Sequence, residues 1–492
     1  MKKIILIGLL LVSSISAEAQ IDDFRKQFDS FKQQTRKDFD DFRSRCNQEF
    51  AEFLRKAWEK YEKNEPLTIP EDPVPEPPVV IPKEEEDKPI KNEELPIKEE
   101  VKPAPPAPQP QPVEPIEEKV QPKPTWHKFT FYGTTDSVRL GEAQHFTCLS
   151  VDGNSLADLW EKCGQSYDNA VFDCLQIRKK YNLCDWAYLK MLESLSDSFF
   201  GKGTNESTFL MAFLYCQSGY QMRLANDGSK LLMLYGSQHV IYGNAFYTIG
   251  DLQFYAFGEE NKELGNMYVC DGAFYGEKPL SLYINDAQDF TYLPSENRVL
   301  KSERYPEIKA DVCVNTNQIQ FYGDYPTSYI GGDFMTRWAM YANVPLDEHV
   351  TKTLYPVLRK EIEGKTELEK VERLLNFVQT ALEYGYDDEI WGNDRAFFSE
   401  ESLYYPKCDC EDHAILFSRL VRDLVGLNVM LVYYPGHLAS AVEFTMPVTG
   451  DWLRYDNNRR FTICDPTYIG AKVGKSMPDL DESGIRVIVL EK

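Results

Sequence analysis

The chain has 492 residues, with 78 Asp and Glu against 54 Lys and Arg, for a formal net charge of −24. Such an acidic balance excludes the basic footprint that nucleic acid or an anionic membrane surface requires. At 42% hydrophobic and 13% aromatic residues, the folded part can bury a core without covalent staples.

In chain order, Lys2 and Lys3 precede an apolar run from Ile4 to Val12, and Ala17-Glu18-Ala19 supplies small residues before Gln20. This predicts a secretory signal peptide over 1–19, with an apolar core too short to span a bilayer. Nothing later in the sequence is long and apolar enough to span one. The expected location is the periplasm, cell envelope or exterior of a bacterium. Export permits disulfides; eleven cysteines is an odd number, in keeping with one free thiol and at most one or two bridges.

Residues 20–63 predict an amphipathic helix, a potential coiled coil. Phe28, Phe39, Phe50 and Tyr61 recur every eleven residues, and Phe31, Phe42 and Phe53 follow the same period. Eleven residues over three turns keeps both sets on one face. That stripe must be buried by self-association, on an envelope partner, or back on the chain's own globular part. Residues 64–124 form a Pro-rich linker: 18 of the 29 prolines lie between 66 and 124. Eight Lys and fifteen Asp or Glu over 63–124 put about −7 of the net charge there. The composition predicts a disordered, extended spacer without a core.

Folded sequence starts at Trp126. An α+β domain is expected over 125–345, with helices near Leu156–Glu161, Ala187–Leu195 and Phe209–Gln217, then Tyr- and Phe-rich strands to about Tyr292. Asn205-Glu206-Ser207 fits a glycosylation sequon, though a helix start explains it as well. Tyr242, Phe246, Tyr247, Phe254, Tyr255 and Phe257 either stack on glycan rings or, more commonly, pack a sheet face. The helix from Glu206 to Leu214, Gly219-Tyr220 and the following strands echo the order found after residue 346.

In 346–492, Lys407-Cys408-Asp409-Cys410-Glu411-Asp412-His413 leads into an apolar-periodic run, Ala414, Phe417, Leu420, Val421 and Leu424, closed by Gly426. This predicts a helix with Cys410 at its first turn and Gly past its end. A helix start offers N–H groups and a positive dipole end to a thiolate and an oxyanion. Val429–Tyr434 reads as a buried strand; His437 opens a second after Pro435-Gly436. Phe461–Asp465 is a third, ended by Pro466. Cys410, His437 and Asp465 thereby become a candidate nucleophile, proton shuttle and imidazole-orienting carboxylate. Asp409, Glu411 and Asp412 oppose thiol ionisation if they face it, but helix N-terminal carboxylates are the simpler reading.

These residues resemble the transglutaminase-like superfamily, over roughly 350–480: the lead-in helix Leu368–Val378, the Asp-Cys-Glu-Asp turn, Gly-His before a small-residue strand, and Asp-Pro-Thr-Tyr. The resemblance implies a papain-like core and an α+β chain overall, with a Cys-bearing helix packed on an antiparallel sheet. It makes 125–345 a potential degenerate copy lacking the nucleophile. It also implies attack on an amide of a protein or cell-wall (peptidoglycan) peptide, giving a thioacyl intermediate released to water or an amine. The alternative is a non-catalytic binding or scaffold module on the same fold. Neither cofactor nor metal is expected: Cys408, Cys410, His413, His437 and Cys464 match zinc-ligand spacing poorly. The sulfur of Cys410 is expected within about 4 Å of one His437 nitrogen, with Asp465 on the other.

Overall fold

A computed structural model describes residues 30–490, apart from 32–33, 69–76, 83–87, 107, 113–115, 120, 122, 229, 259–263, 393 and 457. The expected signal peptide lies outside the described residues. No described helix is long and apolar enough to cross a membrane.

The chain is α+β. Helix α1 runs through the described residues 34–55 and stops short of the expected end at 63, and its end docks on the chain itself: Phe50, Ala51 and Leu54 are buried, with Phe50 against Trp160 and Phe274. Tyr61, the last ring of the eleven-residue series, lies not on the helix but on strand β1 (Glu59–Tyr61). Short strands β2 (Glu94–Leu95) and β3 (Glu99–Val101) follow in the Pro-rich region.

The helices of the first half include α2 (Gly153–Ser166), α3 (Asp168–Lys180), α4 (Asp185–Phe200) and α5 (Asn205–Gln217). Its strands are β4 (Met222–Asn226), β5 (Leu231–Gly236), β6 (Phe246–Ile249), β7 (Leu252–Ala256) and β8 (Met267–Cys270). They form an antiparallel sheet in the order β1-β8-β4-β5-β7-β6. Phe246, Tyr247, Phe254, Tyr255 and Phe257 are buried on its two faces, which removes them as a glycan platform.

The second half comprises α6 (Glu348–Ile362), α7 (Glu367–Ala381) and α8 (Cys410–Leu424). After them come β9 (Val429–Tyr434), β10 (His437–Glu443), β11 (Trp452–Tyr455), β12 (Arg459–Cys464) and β13 (Arg486–Leu490). Their order is β2-β11-β12-β10-β9-β13-β3. With the added strands set aside, the first sheet reads β8-β4-β5-β7-β6 and the second β13-β9-β10-β12-β11. In each half a helix is followed by five antiparallel strands joined in the same order. Leu374, Tyr188, Phe213 and Leu420 belong to one continuous core, so residue 346 marks no break in packing.

The Pro-rich region is not a free spacer where it is described. β2 pairs in parallel with β11 at one sheet edge and β3 with β13 at the other. Laid flat, six inter-strand steps at about 4.8 Å would separate β2 from β3 by about 29 Å. Yet the four steps from Leu95 to Glu99 reach at most about 14 Å. The sheet therefore curls toward a closed barrel, and this segment bridges its seam. Leu95 fills the second apolar cluster with Met430, Val432, Ala439, Leu453 and Phe461, and Ile97 packs on it. Residues alternating with these, such as Leu431, Leu438 and Val442, face the main core and α8. Composition concealed this because a few scattered apolar residues among the prolines and charges, such as Leu95, Ile97 and Val101, carry the burial.

Candidate active site

Cys410 is the first residue of α8, capped by Asp409, with Asp412 accepting from the Asp409 N–H at 3.3 Å and the Phe397 N–H at 2.7 Å. Gly426, at φ 75°, follows the last turn and donates to Val421 O at 3.1 Å, as a glycine past a helix end does. The sequence places this helix correctly at both ends.

His437 opens β10, and Asp465 follows the last residue of β12; the strands pair through Ser440 and Cys464. Period-2 alternation puts His437 on the side of Ala439 and Ala441, and Asp465 on the side of Ile463, so both share the inner face. His437 Nε2 and Asp465 Oδ2 are 2.9 Å apart and fully buried. The other carboxylate oxygen accepts from Thr467 N (2.9 Å), Thr467 Oγ1 (3.0 Å) and Tyr468 N (3.1 Å). Those bonds account for the Asp-Pro-Thr-Tyr sequence: proline ends the strand and the next two residues hold the carboxylate. Burial pushes the Asp465 carboxyl up, but His437 and these donors outweigh it and hold it below the usual range. With Nε2 on the carboxylate, Nδ1 is left as the acceptor; it is buried without a hydrogen-bond partner.

Cys410 is 4% exposed. Its thiol donates to Glu411 Oε2 at 3.2 Å, and the Leu438 N–H points at the sulfur. Among the described residues no hydrogen bond joins Cys410 to His437. Burial, then the charges of Glu411 and Asp409, raise the thiol well above its ordinary value, with the Leu438 N–H opposing them. Here the structure corrects the simpler reading of the acidic neighbours. Asp412 acts as a helix cap, but Asp409 and Glu411 are buried and bear on the thiol.

Cys408, on the short strand Lys407–Cys408, lies 3.6 Å from His413 Nδ1. This is no second catalytic pair. The same nitrogen lies 2.5 Å from the carbonyl of Asp409, so it carries its proton toward that oxygen and has no lone pair for the thiol. The side chains that come together as potential cation ligands are Asp387, Asp409 and Glu411, rather than the cysteines and histidines weighed for zinc.

Gln379 was not singled out by sequence. It is buried on α7, and its Nε2 donates to the carbonyls of Asp465 (3.0 Å), Tyr468 (2.8 Å) and Ala471 (3.2 Å). A glutamine on the apolar face of a lead-in helix was the available signal.

The first half repeats the central joint without the chemistry. Asn205, the first residue of α5, accepts from the Leu231 N–H at 2.9 Å, as Cys410 faces the Leu438 N–H. Matching Leu231 to Leu438, and extending the β5–β7 register through Phe257 N to Met233 O at 2.9 Å, sets Lys230 where His437 stands and Gly258 where Asp465 stands. Set against family models, characterised proteins and solved structures, the chain matches none.

Proposed function

We propose that the chain is an exported thiol enzyme of transglutaminase-like type that cleaves or transfers an amide acyl group of a protein or cell-wall peptide. The observation that carries this reading is the buried His437–Asp465 pair at 2.9 Å with the other imidazole nitrogen unpartnered. In the reaction, Cys410 gives its proton to His437 Nδ1 and sulfur bonds to the amide carbon. N–H groups at the start of α8 stabilise the oxyanion. The C–N bond breaks as His437 returns the proton to the leaving amine. Water or an amine then attacks the thioester, giving its proton through His437 to the departing Cys410 sulfur. Reaching Nδ1 requires the thiol to leave Glu411 and to come round from the α8 side of β10 to the inner face that carries His437.

The raised, 4% exposed thiol favours the second reading, a binding module in which the fold is kept without turnover. An amide-mimic thiol probe followed by mass spectrometry separates the two. The enzyme reading expects one adduct on Cys410, lost in Cys410→Ala and kept in Cys408→Ser. An adduct on Cys408, or none on wild type, would overturn it.

A further inference from the structure

Asp409 and Glu411 flank Cys410, and Asp387 reaches them from the short helix Asp387–Ile390 in the segment between α7 and α8. Each contributes one carboxylate oxygen to a group whose members all lie within 4.8 Å of one another. The three residues are 5%, 1% and 5% exposed for Asp387, Asp409 and Glu411 respectively. Asp387 Oδ2 accepts from the Arg395 N–H at 2.6 Å, and Glu411 Oε2 from the Cys410 thiol. Asp387 Oδ1 and Asp409 Oδ1 are buried with no hydrogen-bond partner. Among the described residues no Lys or Arg forms an ion pair with these three. The arginines nearby are engaged elsewhere, Arg337 on Asp394 at 3.1 Å and Arg395 on Glu401.

Buried carboxylates are costly when cations act on them only from a distance, as Arg337 does on Glu411 and Arg395 on Asp387, and the unpartnered oxygens of Asp387 and Asp409 mark where a positive ligand belongs. We propose that Asp387, Asp409 and Glu411 bind one hard divalent cation of the calcium class, tying the segment that carries Asp387 to the helix start that carries Cys410. An all-oxygen, anionic donor set selects a hard ion over a thiophilic one. Ion–oxygen distances of about 2.4 Å allow ligand oxygens up to about 4.8 Å apart, and the three carboxylates lie within that limit of one another. Binding does not depend on whether Cys410 turns over an amide.

The test uses the full chain stripped of metal with a chelator, titrated calorimetrically with Ca2+ and separately with Mg2+. Saturable binding of one Ca2+ per chain is expected. Asp387→Asn and Glu411→Gln should each weaken binding tenfold or more. Glu348→Gln, at an exposed carboxylate paired with Lys352, should bind as wild type. Each amide variant removes a buried charge at nearly constant volume, and the two act from different segments, so misfolding of one leaves the other decisive. No saturable binding of either ion at millimolar concentration, or undiminished binding in a folded Asp387→Asn or Glu411→Gln protein, would overturn the site.

Discussion

Replacing Leu95 with alanine distinguishes a spacer from a structural strand. Leu95 is 4% exposed and sits in the cluster lining the curled sheet. A buried Leu→Ala change costs about 2–5 kcal/mol through lost transfer energy and the cavity left behind. At the seam of a barrel, neighbours such as Ile97 can partly refill the space, so about 2–3 kcal/mol is expected. The rival contribution at this strand is the fork of Arg454 on Glu94, at 2.8 and 2.7 Å, between side chains 49% and 44% exposed. Solvent screening leaves that exposed pair the weaker contribution, so Glu94→Ala should be the milder change. Hydrogen exchange followed by mass spectrometry on residues 452–455 and 486–490 reads the effect where it acts. A loss of 2 kcal/mol means about 30-fold faster exchange when the opening equilibrium sets the rate. Identical exchange in Leu95→Ala and wild type would refute the strand. A larger effect from Glu94→Ala would show that the ion pair, not the plug, holds the seam.

Gln379→Ala leaves the carbonyls of Asp465, Tyr468 and Ala471 without their shared donor, a local cost of about 2–4 kcal/mol. Alkylation of Cys410 should slow and its pH midpoint move, whereas a purely structural glutamine would lower melting temperature and leave that midpoint in place. Glu400 is buried, which pushes its carboxyl up to about 8 against the opposing Asp347 N–H bond. A raised carboxyl contributes stability below its unfolded value near about 4 and loses it as pH rises toward the folded value. Melting temperature should thus fall from pH 5 to 8, and fall less in Glu400→Gln; equal slopes would sink the assignment. Phe50→Ala, removing a ring wedged against Trp160 and Phe274, should cost about 3–5 kcal/mol and expose α1 to proteolysis. A helix cut equally fast in both proteins would show that this contact does not anchor it.

What could be read in the sequence was whatever local periodicity and punctuation specify. The helix behind Cys410 is periodic and closed by Gly426, strands β9 and β10 are apolar runs around Pro435-Gly436, and Pro466 marks the end of β12. The illegible features are those whose partners lie far along the chain. Leu95 looks like one apolar residue in a Pro- and Glu-rich stretch until β11 supplies its edge, pairing it with Leu453, 358 positions away, in a register that no composition encodes. Tyr61 keeps the eleven-residue period yet pairs with Met267 on a strand, because a sheet edge satisfies its backbone where a helix end would not. Asp387 carries no motif, and its relation to Asp409 and Glu411 exists only after the segment folds over the start of α8. Helix α3 was also missed: Asp173, buried in it, is paired with Arg139 at 2.6 Å, so a charge stands where an apolar stripe was sought.

The shared strand order of the two halves bears on which feature deserves weight as a sign of catalysis. In both, the first side chain of a helix meets the N–H of a residue near the start of the second strand: Asn205 with Leu231, and Cys410 with Leu438. That joint recurs without a thiol, so it belongs to the packing of helix on sheet rather than to chemistry. A cysteine at this position is by itself compatible with a purely structural role. What the second half adds is an imidazole one residue before the joint and a carboxylate where the neighbouring strand ends, held 2.9 Å apart. Lys230 and Gly258 stand at those places in the first half and can form no such pair. The case for an enzyme therefore rests on His437 and Asp465, and on Gln379 behind them, more than on the thiol. Fixing an imidazole by a buried carboxylate that is itself held by three further hydrogen bonds orders several groups for no evident gain in packing, whereas proton transfer at Nδ1 needs that order.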